Sequence, residues 1–219
     1  MMIPVLPAVN VSYDILTGTL SMDGHRFISS STSDFKTTAS EISRSLERRS
    51  PILTVDVNGF NDRIVNNGLI AKTKTRRSEH WVLTGITTID DVFDAFYMGA
   101  DTLLLPYHNI SPAILKEIND ISDQCIPFIV TDGMSSLSGS GPEDLIESIR
   151  NVQRCGFSEA VILNISNGDI WDDVLKENER IIPFVFEPYV VHEKGFSDVL
   201  EVLSQVRITQ FQSDAHLSD

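Results

Sequence analysis

Three residues in this sequence can move protons and stand where an apolar run breaks into a polar turn. Asp56 lies in TVDVNG, Asp132 in IVTDGM and His108 in PYHNIS. Two carboxylates facing one another across a substrate can exchange protons with it, and histidine titrates near neutrality. Each also has a quieter role open to it. Asp56 and Asp132 can accept hydrogen bonds from the turns that follow them, and His108 can stand exposed beside a helix start capped by Asn109 or Ser111. Asn58, Thr84, Gly85, Asn164, Ser166 and Glu187 share the same kind of strand-to-turn position and are the candidate substrate-binding residues. His25 and Arg26 could contact an anion, although Gly24 beside them also reads as a plain turn.

Other chemistries have less support. HExxH is absent, and neither Cys125 nor Cys155 sits in a metal-ligand spacing, so two buried, reduced thiols and no metal or cofactor are expected. The SGSGPEDL stretch at 138–145 has the glycines and serines of a phosphate-binding loop. It lacks the lysine and terminal Ser/Thr of a nucleotide loop, and Glu143 and Asp144 disfavour an anion there. A simple helix entry, with Pro142 in the first helical position, is the expectation.

The elements that must position these residues alternate along the chain. Apolar runs at 2–9, 52–57, 80–83, 102–105, 126–130, 160–165 and 181–186 read as buried strands, with 206–211 as a last short one. Between them lie helical patterns at 35–48, 61–77, 88–98, 112–121, 142–155, 169–178 and 198–203. Thr88 and Asp91 make a capping box, Ile89, Val92, Phe93, Phe96 and Tyr97 form one apolar face, and Gly99 stops the helix. Residues 10–34 are polar and predict a long loop with a small hairpin. The strands do not alternate in polarity, as expected when helices cover a parallel sheet. The pattern predicts an α/β fold of the TIM (β/α)8-barrel type, atypical at its eighth unit, with one domain over 1–211 and a flexible tail at 212–219. A doubly wound sheet is the competitor, but no Gly-x-Gly-x-x-Gly follows a strand. YMGADTLLLPYHN at 97–109 and CGFSEAVILNIS at 155–166 share a layout that suggests two related halves.

The net charge of −14 at pH 7 sets such a surface against nucleic-acid backbones and anionic membranes. The start, MMIPVLPAV, does not read as a signal peptide, and no run has the length of a membrane span, so a cytoplasmic protein is expected.

The ordered series MIPVLPAV, ILTVDVNG, WVLTGITTIDDVFDAFYMGAD, FIVTDG, GPEDLIESIRNVQRCGF and AVILNIS resembles the phosphoribosylformimino-AICAR ribotide isomerase family of histidine biosynthesis, and most of all its divergent archaeal-type relatives. The resemblance implies a barrel in which two aspartates, ending strands one and five, exchange protons in an aldose-to-ketose rearrangement. Asp132 matches the second. Pro7 stands at or beside the first, and proline cannot transfer a proton. The glycine-rich phosphate grips are reduced to Gly85 after strand three, and FEPYVVHEKG replaces the cluster after strand seven. Two functions follow as expectations. One is a divergent isomerase-like or lyase-like enzyme acting on a small polar or phosphorylated metabolite, with a role in cofactor or one-carbon metabolism conceivable. The other is a noncatalytic descendant that binds a metabolite or another protein. An apolar patch left by a shortened eighth unit would make a homodimer.

Overall fold

The structure, a computed structural model, describes residues 1–138, 141–166, 168–186, 191 and 194–203. Its elements run β1 (Met2–Val11), β2 (Asp14–Asp23), β3 (Arg26–Asp34), α1 (Phe35–Ser45), β4 (Pro51–Asp56), α2 (Val57–Asp62), α3 (Asn67–Thr73), β5 (Glu79–Leu83), α4 (Ile89–Tyr97) and β6 (Thr102–Pro106). A 3-10 turn at Tyr107–Asn109 leads to α5 (Pro112–Ile121), β7 (Cys125–Thr131), β8 (Ser135–Ser138), β9 (Gly141–Asp144), α6 (Leu145–Arg154), β10 (Ala160–Asn164), α7 (Trp171–Glu177), β11 (Ile181–Val185) and β12 (Val199–Val202). Strands β1, β4, β5, β6, β7, β10, β11 and β12 pair in that order, all parallel. Val5 of β1 lies opposite Val202 of β12 on one side and Leu53 of β4 on the other, so the sheet closes on itself. The fold is an eight-stranded parallel barrel wrapped in helices, consistent with a TIM (β/α)8 barrel. Among the described residues no helix is long and apolar enough to cross a membrane.

Alternate side chains of each barrel strand enter different cores. Ile3, Val5, Leu53, Val55, Leu83, Leu104, Phe128, Val130, Val161, Leu163, Phe184, Leu200 and Val202 fill the barrel interior. Val82, Leu103, Leu105, Ile129, Ile162 and Val185 point outward onto the helices, and Leu6, Ala8 and Ile52 pack on α1 and α3. Both strand faces are therefore apolar, which is why the strands do not alternate in polarity. Thr88 and Asp91 form the expected capping box on α4. Gly99 (φ +106°) and Gly156 (φ +104°) both adopt the left-handed conformation that turns a helix end into the next strand. The two similar sequence stretches thus share one backbone device.

Several elements differ from the sequence expectation. Residues 14–34 form a long antiparallel hairpin, β2–β3, extending from the overhanging end of β1, with a register shift at Thr17/Gly18. A Cβ at Gly18 would strike the Ser30 carbonyl, so the two strands approach that closely only at glycine. The helix expected at 198–203 is instead the eighth barrel strand, because Val199–Val202 finds β1 on one side and β11 on the other. The strand expected at 206–211 lies outside the described residues. The helix entry expected at Pro142 is a hairpin, β8–β9, and α6 starts at Leu145 with Asp144 as its cap. Proline is tolerated at 142 because β9 is an edge strand and, among the described residues, has no partner beyond β8. On α4, Val92 and Ala95 are buried while Phe93 and Tyr97 face solvent, so the apolar face is narrower than its composition suggests.

One buried histidine ties four of these elements together. The His80 ring lies between Thr54 Oγ1 and Thr73 Oγ1, both 3.2 Å from Nε2, and the Gly99 carbonyl, 3.3 Å from Nδ1. Its backbone N–H donates to Asp101 Oδ2. Burial pushes its pKa from 6.5 down to about 4. The folded state then holds fewer protons than the unfolded state, so the stabilisation is complete above 6.5 and is lost as pH falls towards 4. The loss amounts to about 3 kcal/mol at most, and half-buried His108, also lowered to about 4, acts in the same direction. Urea titrations should show the unfolding midpoint falling between about pH 7 and about pH 4.5. His80→Gln should be less stable at neutral pH and should have a flatter profile over that range.

Candidate functional site

The carboxyl-terminal ends of the barrel strands carry nearly every sequence candidate, and this mouth is closed by aromatic rings. Phe27 of the β2–β3 hairpin enters the barrel core, with its ring centroid 4.8 Å from Phe60 of α2, 6.4 Å from Phe128 of β7 and 6.0 Å from Phe184 of β11. Phe128 also meets Phe60 and Phe184 edge-on, and Phe186 packs on Phe184. Two hydrogen bonds pin the plug: Phe27 N–H donates to Asn61 Oδ1 at 2.9 Å, and Asn61 Nδ2 donates to the Phe27 carbonyl at 2.8 Å. Leu20 joins the same core, and Met22 packs against it.

Asp56, Thr84 and Gly85 lie in a closely packed node beneath this plug. Asp56 is fully buried and caps α2, accepting from Gly59 N–H at 3.0 Å, and its other oxygen accepts from Thr84 Oγ1 at 2.8 Å. Burial raises its pKa above the usual carboxylate value, while the Gly59 and Thr84 bonds oppose that rise. A Cβ at Gly59 would collide with the Asp56 carboxylate, and one at Gly85 with the Gly59, Arg63 and Ile64 backbone. The glycine kept after the third barrel strand thus lets the α2 turn lie against β5. Asn58, one residue into α2, faces solvent.

The other two proton-transfer candidates are placed apart from this node. Asp132 is exposed and organises its own turn: Oδ1 accepts from the Met134 and Ser135 N–H groups at 3.0 and 2.7 Å, and Oδ2 from Ser135 Oγ at 3.1 Å. The Ser135 backbone bond is the leading cause that holds its carboxyl below the usual range. The His108 ring rests edge-on against Phe60, with centroids 5.4 Å apart. Burial chiefly, then the charges of Arg63 and His25, push its pKa down to about 4. Among the described residues no hydrogen bond or ion pair links Asp56, Asp132 and His108. Pro7, at the strand-one position, is buried in β1. Glu187 lies outside the described residues.

Asn164 and Ser166 are brought together, and they border a cavity. Asn164 Oδ1 accepts from Ser166 N–H and Oγ at 3.0 and 2.8 Å, and its Nδ2 donates to the Gly168 carbonyl at 2.8 Å. The loop they shape abuts Gly133, where a Cβ would stand 2.7 Å from Ser166 Oγ. Beside it opens a cavity of about 520 Å3, walled by the hairpin residues Leu20 and Met22 and by Ile165, Trp171, Phe184 and Phe186. That volume lies within the span of small-molecule sites. These apolar walls were not found from the sequence. The available signal was the spacing of Leu20, Met22 and Phe27 within an otherwise polar stretch, which marks one face of a hairpin.

Glu143 also acts differently from a first-turn helix residue. Its carboxylate accepts from Tyr107 Oη at 2.8 Å, Ser148 Oγ at 2.7 Å and Asn151 Nδ2 at 2.8 Å, fastening β9 to α6 and the barrel rim. Ser136 and Ser148 hydroxyls complete this network. Burial, followed by the bond to Glu143, pushes the Tyr107 hydroxyl up to about 12. Among the described residues no group of three His, Cys, Asp or Glu side chains converges as metal ligands do.

No protein-family model matches the chain, and no curated protein matches it in sequence. The class that stands on geometry is a (β/α)8-barrel protein with an aromatic mouth and an off-axis cavity.

The Asp56 node makes a prediction about stability. Asp56→Ala removes the α2 cap and strands the Gly59 N–H and Thr84 hydroxyl, which should cost about 2–4 kcal/mol in chemical denaturation. Asp56→Asn keeps an acceptor without the buried charge and should be tolerated. A carboxyl whose pKa is raised on folding adds stability below its unfolded pKa and loses it as pH rises through the folded one. Asp56→Asn should therefore gain on wild type as pH rises from about 4 to about 7. Gly85→Ala forces backbone against backbone and should cost about 3 kcal/mol or more.

Proposed function

We propose that this chain is a divergent relative of the ribotide isomerase barrels that binds a small metabolite and has given up the aldose-to-ketose proton transfer. The observation that carries this reading is the Phe27 plug. Phe27 and Phe60 close on Phe128 and Phe184 of the barrel interior, on the side of the strand ends where a barrel enzyme holds its substrate. None of the three proton-transfer candidates has the setting of a general acid or base. Asp56 is committed to Gly59 and Thr84, His108 titrates near 4 against Phe60, and Asp132 is committed to its own turn. The cavity beside Asn164 and Ser166 supplies the binding volume.

A second reading keeps catalysis: a divergent isomerase or lyase acting on a small polar or phosphorylated metabolite. It draws support from the Asp132–Gly133 turn, which lies against Ser166 at the cavity edge.

One assay tests the loss of the aldose-to-ketose step. Purified protein incubated with the phosphoribosylformimino-AICAR ribotide aldose should give no ketose above the buffer rate. Wild type and Asp132→Asn should be indistinguishable in this respect. Turnover by the wild type that Asp132→Asn abolishes would overturn the noncatalytic reading.

A further inference from the structure

We infer that the off-axis cavity takes an uncharged, largely apolar molecule, in place of the phosphorylated sugar that a barrel of this kind suggests. The inference rests on the metabolite-binding reading and narrows it to a ligand class. The described lining contains no lysine, arginine or histidine to meet a phosphate. The nearest described cation bonded to the lining is Lys194, and its ammonium spans Asp169 at 2.9 Å and Asp172 at 2.8 Å. This triad leaves one net negative charge at the rim, on a chain that is already strongly acidic, and repels an anion.

Among the described lining residues, the side-chain hydrogen-bonding capacity of Asn164 and Ser166 is equally small. Asn164 Oδ1 accepts two bonds and its Nδ2 already donates to Gly168, while Ser166 Oγ donates to Asn164 and accepts from Gly168 N–H. A sugar phosphate would bring many hydroxyl and phosphoryl oxygens into this space and leave most of them unpaired, at a cost per buried group that an apolar ligand avoids. Leu20, Met22, Ile165, Phe184 and Phe186 offer dispersion contact and removal of apolar surface from water. One spare Asn164 N–H suffices for a single hydroxyl or carbonyl on the ligand.

The chain carries its own reporter. Of its two tryptophans, Trp171 lines the cavity and Trp81 lies elsewhere, so Trp81→Phe leaves emission from Trp171 alone. Cyclohexanol, inorganic phosphate and ribose 5-phosphate are titrated separately into this variant. They are titrated again after adding Gly168→Phe or Met22→Phe to narrow the cavity. Among the described residues a Cβ at Gly168 has only Ser166 Oγ nearby, at 3.4 Å, so the substitution starts without a backbone clash. The inference expects a saturable Trp171 response to cyclohexanol that weakens at least tenfold in a narrowed variant, and none to either phosphate. A saturable response to ribose 5-phosphate or phosphate, lost on narrowing, would overturn the uncharged class while leaving the binding reading intact. No saturable response to any of the three would overturn both. Far-UV circular dichroism identifies a variant that fails to fold, and the wild-type lining then still decides the class by comparison of the three probes.

Discussion

A closed barrel of eight parallel strands has an apolar axis whose ends must be covered, and at the carboxyl-terminal end of this one the covering group is the Phe27 ring. Phe128 and Phe184 belong to the interior layers built with Val5, Val55, Leu83, Leu104, Val130 and Leu163, a hydrophobic surface that water would meet unfavourably at the open end. The hairpin that carries Phe27 is built for this task. It grows from the overhanging end of β1, turns back without interrupting the barrel and is fastened to α2 through Asn61. Phe60, on the same helix, meets Phe27 most closely. The geometry of α2 rests in turn on Asp56, Gly59 and Gly85, so a carboxylate, two glycines and a plug form one continuous support.

That support accounts for why polar residues at the strand ends do structural work. Asp56 holds the α2 start, Asp132 holds the β7–β8 turn, and Asn164 holds the loop after β10. The bonds of these groups go to neighbouring backbone and hydroxyls. The space that remains lies to one side, between the hairpin and the ends of β10 and β11.

The parts of the fold legible in the sequence were those fixed by local chemistry. Thr88 and Asp91 announce the α4 cap, Gly99 and Gly156 announce two matching helix stops, and seven apolar runs announce barrel strands. Failures arose where long-range pairing decides. Val199–Val202 has apolar spacing compatible with a helix, and only the edges of β1 and β11 make it a strand. Phe27 is a lone aromatic within serines, and nothing local says that it will meet Phe128 and Phe184 from distant strands. For the candidate site, strand-end position was readable, and so was the option that Asp56 and Asp132 serve the turns after them, but which option each residue takes was not. It depends on which backbone N–H groups the fold brings within reach.

Native-state hydrogen exchange of the hairpin tests the central claim most directly, because a plug that belongs to the core cannot open without the barrel opening. The amide of Phe27, bonded to Asn61, and the paired amides of β2 and β3 near Leu20 should exchange with opening free energies close to those of barrel amides such as Leu83 and Val161. Exchange of the hairpin amides at free energies far below the barrel value, with the barrel itself still protected, would show that the mouth opens independently and would contradict the account.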